Sequence, residues 1–128
     1  MKFKTDRIRR EWESMDLPDK LRRIVVSIEQ FMLAKYSYEI TVTQILRTQE
    51  EQDNIYGDRE NYQVNPWKSV HQFFRGIDIR NRDMTPQMIE DVLMLANQII
   101  YDDKRPHKQT AKSHDVGKGD HIHLQVMP

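Results

Sequence analysis

Residues 86–100 constrain the fold more than any other stretch of this chain. Met88, Ile89, Val92, Leu93, Leu95, Ala96, Ile99 and Ile100 recur at helical spacing. Thr85 stands ahead of them as a cap, and Pro86 takes the first helical position, where a missing N–H leaves no bond unmade. The apolar face of this helix is wide. A helix of that kind has to lie across a sheet, so the rest of the chain must supply strands.

Three segments qualify. Ile40 and Val42 alternate with Thr41 and Thr43, Gly76–Arg80 reads as a short strand, and His121-Ile122-His123-Leu124-Gln125-Val126 alternates cleanly. A second helix is expected from about Pro18 to Lys35, opened by Asp16-Leu17-Pro18 and burying Leu21, Ile24, Val25, Ile28, Phe31 and Met32. Thr48 and Glu51 form a capping-box pair, which predicts a short helix to about Tyr56, ended by Gly57.

The remaining stretches are polar. Residues 1–16 are rich in charge, include Trp12, and read as a short helix or a loose arm. Residues 57–68 contain Asn65-Pro66 and read as a loop. Residues 102–120 are polar, basic in places and aperiodic, and read as a long loop of the functional or disordered kind. A chain of 128 residues fits one domain, here 1–128, with a core that needs no disulfide.

No cysteine is present, which excludes disulfides, thiolate nucleophiles and thiolate metal sites. Any metal must be held by His, Asp or Glu. Lys plus Arg equals Asp plus Glu at 20 each, and the basic residues are scattered among acids. Nucleic acid is therefore not the expected partner, and the basic residues of 102–119 are weak grounds for one. Met1-Lys2-Phe3-Lys4-Thr5-Asp6-Arg7 is followed by no apolar run of signal-peptide type, and no stretch approaches a membrane span. The expectation is a protein made in the cytoplasm, monomeric, exported or released only by some other route.

Three polar clusters could meet in space. His71 and Asp78 suit zinc, which favours tetrahedral sets of N, O or S ligands. In Asp120-His121-Ile122-His123, a strand would turn His121 and His123 to one face. With His123 as a ligand, Asp120 sits close enough to take a proton from an activated water and pass it to a leaving amine. Alternatively it caps the strand or pairs with Lys118. His121 either polarises a carbonyl or faces solvent. Arg47, at the end of a strand, either grips a substrate carboxylate or pairs with Glu50 or Glu51. His107 and His114 read as solvated, Ser69 as a hydrogen bonder rather than a nucleophile, and Trp67, Phe73 and Phe74 as core or cleft wall.

The run Ser69-Val70-His71-Gln72-Phe73-Phe74-Arg75-Gly76-Ile77-Asp78 resembles the Ser-x-His-x-x-Gly-x-Ala-x-Asp motif of the D-Ala-D-Ala carboxypeptidase and dipeptidase family of zinc peptidases. Phage endolysins of the L-Ala-D-Glu endopeptidase type and hedgehog signalling domains share that motif. Asp120-x-x-His123 is similar to the acid-x-x-His motif that follows in those peptidases, and Asp rather than Glu leans toward the endolysin branch. Arg47, Gln52 and Tyr56 resemble the family's Arg…Gln…Tyr segment. Two positions depart: Phe74 stands where the family carries Gly, and Gly76 where it carries Ala.

The resemblance implies an α+β domain with a small antiparallel sheet flanked by helices. It implies one zinc ion held by His71, Asp78 and His123, with Asp120, Arg47 and His121 as catalytic groups. The implied activity is zinc-dependent hydrolysis of peptidoglycan stem peptides, as a carboxypeptidase or endopeptidase, possible for a phage lysis enzyme acting on the wall once released. The rival reading is a non-catalytic zinc-containing binding or structural module of the same fold.

Overall fold

The helices start where a side chain or a proline completes the first turn. Thr5 accepts from Ile8 N at 3.2 Å and opens α1 (Asp6–Trp12). Pro18 precedes α2 (Asp19–Tyr36), which Ser37 ends in the left-handed region at φ 52°. Thr48 and Glu51 complete the expected capping box of α3 (Gln49–Tyr56). After α4 (Glu60–Val64), Thr85 accepts from Met88 N at 3.2 Å at the head of α5 (Pro86–Ile100). The strands are β1 (Lys2–Phe3), β2 (Thr41–Gln44), β3 (Gly76–Arg80), β4 (Thr110–His114) and β5 (His121–Gln125). These coordinates are a computed structural model that describes residues 1–64, 71, 74–100, 110–114 and 120–126.

The fold is α+β, with a five-stranded sheet in the order β1-β2-β3-β5-β4. The sheet is mixed rather than antiparallel as expected, because β1 runs parallel to β2. Between these two strands the chain passes through α1 and α2, a crossover long enough to bring it back in the same direction. The other pairs, β2–β3, β3–β5 and β4–β5, are antiparallel.

Three stretches expected to be irregular or open differ. Residues 1–16 hold the short helix that was one of the two expectations, α1, and in addition a strand, β1. Within 57–68, Glu60–Val64 is helical. Tyr62 there stacks on Tyr56 at a centroid distance of 5.7 Å and donates to Asp53 Oδ1 at 2.7 Å, contacts that no local pattern announces. Within 102–120, Thr110–His114 is a strand. It pairs with β5, and Asn97 of α5 grips the free edge of Ala111 through its N–H (2.9 Å) and C=O (3.2 Å). Positions 65–68, 102–109 and 115–119 of the expected loops lie outside the described residues.

One apolar cluster runs from Ile8 to Val126. Leu21, Ile24, Ile28 and Met32 of α2 and Val92, Ala96 and Ile100 of α5 meet Ile77, Ile79, Ile122 and Leu124 of the sheet. Each large side chain so buried contributes about 1.5–3 kcal/mol. Because successive strand residues face opposite ways, sinking Ile77, Ile79, Ile122 and Leu124 sends Asp78, His121 and His123 to the other face. On β2 the register shifts between Val42 and Gln44, so that Gln44 rather than Thr43 stands opposite Asp78. Among the described residues no helix is long and apolar enough to cross a membrane.

Candidate metal centre

His71, Asp78 and His123 meet on the sheet face away from α2 and α5. They are 1%, 4% and 7% exposed. Asp78 and His123 are register partners on β3 and β5, and His71 enters from the segment before β3. Asp78 Oδ1 lies 3.1 Å from His71 Nε2 and 2.9 Å from His123 Nδ1, and the two rings meet edge to face with centroids 5.0 Å apart.

The ring nitrogens turned away from Asp78 also have oxygen partners. His71 Nδ1 sits 3.0 Å from the carbonyl of Ile45, and His123 Nε2 sits 3.0 Å from Gln125 Oε1. The Ile45 carbonyl can only accept, so His71 Nδ1 donates to it, and the Gln125 amide oxygen offers His123 Nε2 the same kind of partner. Where an inner nitrogen carries no proton, its lone pair faces the Asp78 carboxylate. Two lone pairs facing a carboxylate oxygen are satisfied by added protons or by a cation held among them.

The donor set fits a metal ion. One atom from each of the three residues falls within 4.8 Å of the other two. Bonds of 2.0–2.2 Å would set tetrahedral donors roughly 3.3 Å apart, close to the two shorter separations here. Outer nitrogens bonded to carbonyls are the arrangement that orients ligating histidines. Burial alone would push the Asp78 carboxyl up, but His71 and His123 beside it hold it well below the usual carboxylate range.

The other expected residues divide. His121 is buried, with Nε2 3.4 Å from the second oxygen of Asp78, so it faces the cluster and not solvent; it lies outside the set of three mutually close donors. Asp120 is exposed at the entry to β5. Arg47 is 4% exposed. It donates to Gln52 Oε1 at 2.8 Å and to Gln44 Oε1 at 3.2 Å, and among the described residues it pairs with no carboxylate. Ser69, Trp67, Phe73 and His107 lie outside the described residues; His114 falls in β4.

Several participants had no sequence signal. The Ile45 carbonyl and the Gln125 amide are ordinary groups until the fold places them. Lys112 is exposed and is the register partner of His123, so Gln44, Asp78, His123 and Lys112 form one row across four strands. Phe74, packed against the core, has a positive φ of 57°. Compared with protein-family models, curated proteins and solved structures, the chain matches none.

Proposed function

We propose that this protein is a metal-dependent amide hydrolase, that zinc is the metal this donor set suits, and that cell-wall stem peptides are its substrates. The observation that carries the reading is the number of donors. Two imidazoles and one carboxylate make a three-residue set, and catalytic zinc sites keep three protein ligands and one open position. The bound metal supplies Lewis acidity, which polarises a carbonyl and acidifies water.

The residues divide the remaining work. Ile45 and Gln125 hold the His71 and His123 rings in the ligating tautomer. Asp120, three positions before His123 and open to solvent, takes a proton from the attacking water and delivers it to the leaving amine. His121, buried beside Asp78, stabilises negative charge on the carbonyl oxygen. Arg47 is spent on Gln44 and Gln52, so exposed Lys112 at the end of the row is the cation that meets a substrate carboxylate.

The resemblance to D-Ala-D-Ala carboxypeptidases and phage endolysins supplies the substrate class, and backbone geometry supports it. Phe74 occupies the position where that family carries Gly, and its φ of 57° is a conformation that favours glycine. Asp at position 120 favours the endolysin-like branch, and with it a monomeric lysis enzyme acting on the wall after release.

A second reading rests on His121. Turned toward the trio, it would close the site with a fourth ligand, the mark of a structural zinc site in a binding module. One experiment separates the two. Untagged protein is analysed for metal, then incubated with purified peptidoglycan of several chemotypes, and released peptides are identified by mass spectrometry. Hydrolysis is expected, with loss on chelation and in Asp120→Ala. A metal-loaded protein that releases no peptide from any wall establishes the binding module instead.

A further inference from the structure

We infer that the Arg7–Glu11 pair of α1 is the positioning device for His71, acting through the backbone of Leu46. The inference rests on His71 as a metal ligand. The four-residue segment 45–48 joins β2 to α3, and the polar backbone groups of residues 45–47 are shared between His71 and α1. On one side, the Ile45 carbonyl accepts from His71 Nδ1 at 3.0 Å, and Arg47 N donates to the His71 carbonyl at 3.1 Å. These two bonds fix both the ring and the backbone of the ligand.

On the other side, Leu46 offers both its polar groups to α1. Leu46 N donates to Glu11 Oε1 at 3.1 Å, and Arg7 Nη2 donates to the Leu46 carbonyl at 3.2 Å. Arg7 Nε and Glu11 Oε2 close the clamp at 2.8 Å. Arg7 Nη2 also donates to Oε1 of Glu51, the capping-box residue of α3, at 2.9 Å. Glu11 is buried and its carboxylate oxygens are both engaged. A buried carboxylate paired with a half-exposed guanidinium, two hydrogen bonds from a ligand, fixes where the Ile45 carbonyl points. That carbonyl decides which nitrogen of His71 is free to ligate.

The test uses the full chain and Co2+ as probe, with two readouts. Cobalt affinity is read from visible absorption, and the His71 ring N–H is followed by NMR. In Glu11→Ala, cobalt affinity falls by about 10–100-fold, the range for partners that orient a ligand, and the Nδ1–H signal is lost to solvent exchange. Glu11→Gln keeps an acceptor for Leu46 N and restores most of both. Arg7→Gln shifts both in the same direction as Glu11→Ala, and serves if the alanine variant does not fold. Asp91→Asn, which loosens α2 from α5 on the far face of the sheet, lowers thermal stability but leaves both readouts unchanged. Unchanged affinity and an unchanged ring N–H in Glu11→Ala overturn the inference, as does an equal effect of Asp91→Asn. A wild-type chain that takes up no cobalt refutes the metal reading, and the ring N–H then decides whether the clamp holds His71.

Discussion

Asp78 and His123 stand directly opposite one another on β3 and β5, with Asp78 Oδ1 2.9 Å from His123 Nδ1. The pair exists only in this register. A slip of one residue would turn one member to the apolar face, so the same pairing that seats Ile77, Ile79, Ile122 and Leu124 assembles the site.

Asp78→Asn keeps the shape of the side chain and removes its charge. Metal uptake by the variant is expected to fall at least about 100-fold, beyond the loss typical of outer-shell partners. The wild type at a metal concentration of about 100 times its Kd should gain about 2.7 kcal/mol of stability, and the variant at most about 0.4 kcal/mol. Elemental analysis and thermal unfolding with and without chelator check both. Equal metal-induced stabilisation of the two proteins would remove Asp78 from the site.

Lys112→Gln leaves the donor set intact and removes the exposed cation beside His123. For a stem peptide with a free carboxylate, KM should rise about 10-fold, a change of about 1.4 kcal/mol, with kcat nearly unchanged. For the amidated peptide nothing should change. Steady-state kinetics on the matched pair of substrates gives the answer, and equal effects on both peptides would contradict carboxylate recognition.

Thr48 and Glu51 cap α3 reciprocally, with Glu51 N on Thr48 Oγ1 at 3.1 Å and Thr48 N on Glu51 Oε1 at 3.2 Å. Thr48→Ala should destabilise the protein by about 1 kcal/mol. Urea unfolding should show a lower midpoint at unchanged slope. A loss near zero would mean that Arg7, through Glu51, holds the helix start without the threonine.

Asp91 ties α5 to α2. It accepts from Lys35 Nζ at 2.7 Å, from the Tyr36 hydroxyl and from Gln87 Nε2 at 2.8 Å. Lys35 above all, then Tyr36 and Gln87, push its carboxyl down to about 2. A carboxyl depressed in the folded state contributes stability that is complete above its ordinary value and lost as pH falls through the depressed one. The difference in Tm between wild type and Asp91→Asn should thus be constant from pH 7 to about 5 and close between about pH 4 and 2. Thermal scans across that range check it; a gap that persists at pH 2 would show that charge is not its source.

Much of this was legible before any fold. The caps Thr48 and Thr85 and the periodicity from Leu21 to Met32 and from Met88 to Ile100 placed α2, α3 and α5 to within a residue or two. The alternation in His121–Val126 placed two histidines on one face, and His71, Asp78 and His123 do converge. Arg47 was legible as a residue of the site region but not as a buried one. Its partners Gln44 and Gln52 carry no charge, and charge was the only cue available for pairing it.

The amino-acid sequence by itself determined where α2, α3, α5, β2, β3 and β5 lie, which faces the long helices bury and, without cysteine, that a metal could be held only by His, Asp or Glu. Those properties repeat every two or every 3.6 residues, so neighbours along the chain reveal them. Tertiary structure alone decided that β1 joins the sheet in parallel, that Thr110–His114 becomes a strand, and that Gln44 faces Asp78. It also decided that the Ile45 carbonyl and the Gln125 amide meet the outer ring nitrogens of His71 and His123. Edge pairing, register and buried hydrogen bonds join residues far apart in sequence, and no local period encodes which distant group will arrive.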